Sequence, residues 1–174
     1  MPKFYRSRLI ITDVFFSIYD AYVEAVSDTL GKMHVIVKNA GSLKSKRRIL
    51  LKKGHFVESI IFHKNRYYLT DIKILIPFSA LCSNIYEVKF LEKILYLISG
   101  FLIYPDLAEF NFILETLTLT LKDKKLTIPM ATYKFLEFLH LKEYLSNLPL
   151  NDNSEKSIRK SLKLLDDFIN TMLK

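Results

Sequence analysis

The apolar residues of this chain repeat at every second position before residue 79 and at every third or fourth after it, so one kind of secondary structure cannot serve both halves. Residues 33 to 38, MHVIVK, show the first pattern: Met33, Val35 and Val37 face one way and His34, Ile36 and Lys38 the other, as in a half-buried strand. RLIITDVFFSI at 8 to 18 and the segment Tyr22 to Val26 are rich in β-branched and aromatic side chains and precede a turn signal, Leu30-Gly31-Lys32. HFVESIIFH and RYYLTDIKIL supply two more strands, joined by a tight turn at Lys64-Asn65. Beyond residue 79, Leu107, Phe110, Leu114, Leu117 and Leu121 form one helical stripe, and Ile158, Leu162, Leu165, Ile169 and Met172 form another. Asp106 with Glu109, and Asp152 with Glu155, each place a capping acceptor with a carboxylate three residues on. Pro77, Pro105, Pro129 and Pro149 punctuate the remaining boundaries, and the polar run NDNSEKS at 151 to 157 links the last helix to the one before it. The pattern predicts an α+β chain: a five-stranded sheet in residues 1 to 78, then about four helices in residues 79 to 174, with no internal repeat and no long linker.

Charge divides the chain at the same point. Residues 1 to 80 carry 14 Lys or Arg against 6 Asp or Glu, whereas residues 81 to 174 carry 12 of each, so the net charge of +8 lies in the first part. Residues 29 to 57 hold eight cations, Lys32, Lys38, Lys44, Lys46, Arg47, Arg48, Lys52 and Lys53, and no carboxylate. A polyanion relieves the repulsion within such a block, and the commonest intracellular one is nucleic acid. The plain alternative is a solvated Lys-rich loop without a ligand.

Half of the 174 residues are apolar, enough to bury a core without covalent staples. The single cysteine, Cys82, cannot form an intramolecular disulfide, which removes disulfide frameworks and structural zinc from consideration and makes a reducing cytoplasm the default. The longest apolar run, ILYLISGFLIY at 94 to 104, is eleven residues, short of the roughly 20 a spanning helix needs, and reads as a core helix. The opening MPKFYRSRLIITD meets an acidic residue too early for a signal peptide. The expectation is a cytoplasmic protein without membrane association or cofactor.

Five strands with a basic loop after the third suit the small Greek-key barrel called the OB-fold, which holds single strands by a cationic groove and aromatic platforms. Tyr67 and Tyr68 stand beside Arg66 at the start of the fifth strand, and Phe62 and His63 end the fourth. Neighbours in a strand face opposite sides, so one tyrosine of the pair belongs to the core and the other is available for stacking.

Enzymatic chemistry finds little footing. Cys82 lies in ILIPFSALC with no histidine within eighteen residues. His55 and His63 stand eight apart with only Glu58 nearby, a weak metal pattern. Asp106 followed by Asp123-Lys124-Lys125 imitates a nuclease's spaced carboxylates, but Asp106 reads as a helix cap and the later triplet as a turn between helices.

The run GKMHVIVKNAGSLKSKRRILLKKGHFVESIIF resembles the signature region of the bacterial RecO family, in which a Gly-Lys turn leads to a strand, a glycine-containing basic loop and an Arg-rich entry to the next strand. RLIITDVFFSIYD with Asp20 upstream, and YYLTDIKIL and TYKFLEFLHLKEYLSNL downstream, resemble further parts of the family pattern, best over residues 31 to 75 and more weakly over 8 to 148. Two departures stand out. Ser42 and Leu43 occupy positions where the family has a basic pair, and NDNSEKS stands where many members insert a four-cysteine zinc module. The resemblance implies a short, zinc-free recombination and repair mediator rather than an enzyme. Such proteins bind single- and double-stranded DNA, anneal complementary strands, engage the acidic C-terminal tail of the single-strand-binding protein and, with RecR, help load RecA. Phosphate contacts are expected from Lys38, Lys44, Lys46, Arg47 and Arg48, flanked by Lys32, Lys52, Lys53 and Arg66, with Tyr67 as a stacking platform. Lys134, before Phe135, matches the family's basic position for the acidic tail, against the alternative of a solvated helix lysine. Localisation at the nucleoid follows from such a role. From a different class comes a generic nucleic-acid adaptor, RNA-binding or ribosome-associated, although no paired aromatic RNA motif is legible.

Overall fold

A computed structural model describes residues 2–101, 106–139, 152 and 154–172. The chain divides into two compact units, one comprising Met1–Ala80 with Leu95–Phe110, the other Leu81–Ile94 with Asn111–Lys174. The first unit thus takes in residues 95–110 in addition to the segment ending near the expected boundary at 78.

Five strands build the first unit: β1 (Lys3–Phe16), β2 (Ala21–Ser27), β3 (Gly31–Val37), β4 (His55–His63) and β5 (Tyr67–Pro77), with a short helix α1 (Lys46–Leu50) between β3 and β4. They close in a ring in the order β1-β2-β3-β5-β4. Closure depends on the length of β1, whose first half pairs with β4 and whose second half pairs with β2, both antiparallel. A short parallel pairing of β3 with β5 completes it, Val35 beside Tyr67 and Ile36 beside Tyr68. At Thr12 an extra residue bulges from β1 between Ile11 and Asp13, which sharpens the local twist.

Alternation decides what lies inside the ring. Leu9, Ile11, Val23, Ala25, Met33, Val35, Val37, Val57, Ile61 and Leu69 form one buried cluster, joined by Ala40 and Leu51 from the basic segment. Each such Leu, Ile or Val contributes about 1.5–3 kcal/mol relative to an exposed position. Polar groups at one end are satisfied internally: Ser7 Oγ lies 2.6 Å from Ser27 Oγ and donates to Asp28 at 2.8 Å, and Arg8 Nε donates to the other oxygen of Asp28 at 2.7 Å. Part of the outer face is covered within this unit, with Phe56 packing on Phe110, their ring centroids 6.2 Å apart.

The helices are α2 (Phe78–Leu81), α3 (Ile85–Phe101), α4 (Leu107–Leu117), α5 (Ile128–Phe138) and α6 (Glu155–Met172). Asp106 and Glu109 cap α4 reciprocally, as their spacing predicts: the Glu109 amide donates to Asp106 at 2.8 Å and the Asp106 amide to Glu109 at 2.9 Å. The cap of α6 differs from expectation. Ser154 holds the cap position, its hydroxyl accepting from the Ser157 amide at 3.3 Å. Asp152 instead accepts from the Ser154 amide and from the Ser154 and Ser157 hydroxyls, because it lies two residues upstream of the cap position. Thr127 and Pro129 start α5, with Thr127 Oγ1 accepting from the Met130 amide at 3.3 Å. A π-helical turn at Thr118–Lys122 ends α4 before the turn in which Lys124 takes φ of 55°. The second unit's core holds Phe90, Ile94, Leu117, Leu121, Phe135, Leu136, Leu162, Leu165 and Phe168. Pro105, Pro149, Asn151, Asn153, residues 102–104 of the long apolar run and residues 140–148 of the segment TYKFLEFLHLKEYLSNL lie outside the described residues, as does the Met172 side chain.

Candidate nucleic-acid interface

The basic segment is a fastened loop, and its fastenings follow from its small and cationic residues. Asn39, whose side chain tolerates positive φ, stands at 57° and donates its amide to Asp20 at 3.0 Å. The Gly41 amide donates to the Tyr19 carbonyl at 2.9 Å, an approach only glycine allows, since a Cβ there would lie 2.2 Å from the Ser17 oxygen. Successive tight turns follow, Ser45 N to Ser42 O and Arg48 N to Ser45 O, and lead into α1. Gly54, with φ of 80°, closes the segment by donating to the Ile11 carbonyl at 2.8 Å.

The two arginines take part in this fastening. Arg47 donates to the carbonyls of Lys38 at 3.1 Å and Thr70 at 3.5 Å. Arg48 donates to the Gly41 carbonyl and lays its guanidinium 4.0 Å from the centre of the Phe16 ring. Lys38 pairs with Asp20 at 2.7 Å, which holds that carboxyl below its ordinary range, together with the Asn39 amide. Lys32 pairs with Glu24 at 3.7 Å. Lys44, Lys46, Lys52 and Lys53 are exposed and form no salt bridge among the described residues. The segment's eight cations therefore divide differently from the expected division into five contacts and a flank: Lys44, Lys46, Lys52 and Lys53 present free charge, Arg47 and Arg48 hold the loop, and Lys32 and Lys38 are partly neutralised.

Beside this loop, the outer face of β1, β2 and β3 carries a groove of about 540 Å³ lined by Phe15, Tyr22, His34, Ile36, Arg66 and Tyr67, with Asp13 and Glu24 along it. Phe15 and Tyr22 are laterally paired, their centroids 6.3 Å apart, and Phe15 is 68 % exposed. Burial works to raise the Glu24 carboxyl, but Ser99, Lys32, Thr12 and His34 together outweigh it and hold it below its ordinary value. Asp13 and Glu24 set two carboxylates in the groove's length, and Arg66 stands among its lining residues. No family model matches this chain and neither does any curated protein.

The tyrosine pair divides as alternation requires. Tyr67 packs against the interior cluster and stacks on His63 at 4.3 Å while bordering the groove; Tyr68 takes the outer face, with Lys38 Nζ 5.9 Å from its ring centre. Lys134 is half-buried on α5. Phe135 is 2 % exposed and packs between Phe90 and Phe112, so its ring presents nothing at the surface. His55 is buried with Nδ1 3.0 Å from the Leu50 carbonyl, and no cluster of metal-ligating side chains occurs among the described residues. Burial pushes the Cys82 thiol up. Sequence reading missed Phe15 and Tyr22. Their signal was alternation within RLIITDVFFSI and Tyr22–Val26, which places aromatics and carboxylates on one face.

Proposed function

We propose that the chain is a RecO-like recombination and repair mediator whose closed sheet is an OB-fold that binds single- and double-stranded DNA. The observation that carries the reading is the ring order β1-β2-β3-β5-β4, with parallel β3–β5 closure and a helix between β3 and β4, which is the strand order of the OB-fold. A groove with exposed aromatics and Arg66, on a sheet whose β3–β4 segment carries four exposed lysines without salt bridges, supports nucleic acid as the ligand. The RecO assignment rests on the resemblance of residues 31 to 75. In this reading phosphate charge is met mainly by Lys44, Lys46, Lys52, Lys53 and Arg66, so binding is largely sequence-independent and weakens steeply with salt. Two strands whose repulsion is reduced on one positive surface can anneal. Engagement of the single-strand-binding protein's acidic tail at Lys134, and cooperation with RecR in loading RecA, are the remaining parts of the proposal.

The test is annealing of complementary oligonucleotides coated with single-strand-binding protein, with and without this chain. Acceleration that disappears when the acidic tail is removed supports the mediator role and its partner. DNA binding without annealing restricts the assignment to a nucleic-acid module, and RNA that outcompetes single-stranded DNA by more than about tenfold transfers it to an RNA-binding adaptor.

A further inference from the structure

Laterally paired residues stand side by side on one face of a sheet. Phe15 on β1 pairs with Tyr22 on β2, Tyr22 with Ile36 on β3, Ile36 with Tyr68 on β5, Tyr68 with Phe62 on β4, and Phe62 with Phe4, back on β1. Because β1 contributes both ends, a single belt of large apolar side chains crosses every strand of the ring on its outer face. Ring centroids stand 6.3 Å apart for Phe15 and Tyr22, 6.2 Å for Tyr68 and Phe62, and 5.0 Å for Phe62 and Phe4. Singly scattered surface phenylalanines need no explanation, but this row is in register: Phe4 and Phe15 are each 68 % exposed and Tyr22 is exposed, Phe62 and Tyr68 are half-buried, and Ile36 between Tyr22 and Tyr68 is buried.

Cations stand beside the rings of the belt. Lys38 stands over Tyr68, and beyond it Arg6 and Lys73 flank a second hollow of about 550 Å³ that includes Phe4 and Ile60. Arg6 pairs with Glu58 at 3.0 Å and Lys38 with Asp20 at 2.7 Å, both as exposed ion pairs open to exchange with a phosphate, and Lys73 shares the hollow with Asp71. Cations beside flat rings, at an interstrand interval of about 4.8 Å that an extended nucleotide backbone spans, match successive stacked bases.

We propose that a single strand held in the groove does not stop at β3 but continues across β5 and β4, its bases on Tyr68, Phe62 and Phe4 and its phosphates toward Lys38, Arg6 and Lys73. This path rests on the nucleic-acid reading and adds a second, distal half to the binding surface.

The chain contains no tryptophan, so Phe4→Trp installs a single reporter at the far end of the belt. The probe is an oligothymidylate of about 16 nucleotides, the upper range of OB-fold site sizes, with binding followed independently by anisotropy. The expected result is quenching of the Phe4→Trp emission on binding, and an affinity for Phe4→Ala about tenfold below wild type with an unchanged salt slope, since Phe4 meets no phosphate. Saturated binding with neither quenching nor loss in Phe4→Ala overturns the path and leaves the groove reading intact. Absence of wild-type binding overturns both. A dimer that Phe4→Ala dissociates, with DNA affinity unaltered, assigns the surface to a second copy and overturns the proposal as well.

Discussion

Replacing Gly41 by alanine tests whether the basic segment is held to the sheet as described. A Cβ at this position would lie 2.2 Å from the Ser17 oxygen, 2.7 Å from the Tyr19 carbonyl carbon and 2.8 Å from that of Ile18. All three are backbone atoms and cannot rotate away. Ordinary contact begins at 3.4 Å, so the loop and the β1–β2 turn must separate by 3.4 − 2.2 = 1.2 Å at the tightest point. That displacement lengthens the 2.9 Å hydrogen bond from Gly41 to Tyr19 beyond use and loosens the Arg48 contact with the Gly41 carbonyl. Overpacking costs about 1–3 kcal/mol and the lost hydrogen bond about 1 kcal/mol, giving about 2–4 kcal/mol in all. With a urea slope of about 2 kcal/mol/M, the unfolding midpoint should fall by about 1–2 M. Gly100 is the control, since among the described residues nothing beyond its own stretch of helix lies within 4 Å of its would-be Cβ, and it is exposed on α3. Gly100→Ala should be neutral or stabilising by up to about 1 kcal/mol. A Gly41→Ala protein that unfolds at the wild-type midpoint would show that the loop does not sit against Ser17–Tyr19.

Arg48→Lys removes the flat guanidinium over Phe16 and the bond to Gly41 while keeping the charge; stability should drop by about 1–2 kcal/mol, read by urea unfolding, with the salt slope of DNA binding retained. His55 gives a pH signature. Burial, aided by Lys52 and opposed by the Leu50 carbonyl, depresses its folded pKa, so the unfolded chain binds more protons near its ordinary 6.5. Stability from this group is therefore complete above that value and declines as pH falls below it, through the depressed folded value. His55→Asn, compared with wild type by denaturant unfolding across that range, should flatten the decline. Phe135→Ala should destabilise by about 3–5 kcal/mol as a core truncation, measured by thermal or urea unfolding, whereas exposed Phe15→Ala should cost little stability and weaken single-strand affinity.

Alternation made the strands legible, since Met33, Val35 and Val37 had to share a side and do line the interior. The beginning of β1 was not legible because Lys3–Arg6 carry no alternating apolar signal of their own; they are extended by pairing with β4, some fifty residues away. The short helix α1 was invisible because its arginines bond outside it, to the carbonyls of Lys38 and Gly41 across the folded loop and of Thr70 on β5. Charge counting located the cationic segment but could not separate its free cations from its paired ones. Asp20 neutralises Lys38 across eighteen positions, and Arg48 stacks on Phe16 across thirty-two, distances no local pattern records. The capping box of α4 was readable because both partners lie within one turn. At α6 the same signature misled, because Ser154 was better placed than Asp152 to reach the helical amides.

Salt-dependent binding of a labelled oligothymidylate to wild type and to the variant with Lys44, Lys46, Lys52 and Lys53 all changed to alanine tests most directly the claim that this sheet and its free lysines form a nucleic-acid interface. Each single-strand phosphate contact contributes about 0.7 to the slope of log affinity against log salt, so losing four should reduce it by about 2.8, with weaker affinity at low salt and an unchanged unfolding midpoint. Equal affinity and equal slope in the two proteins would contradict the account.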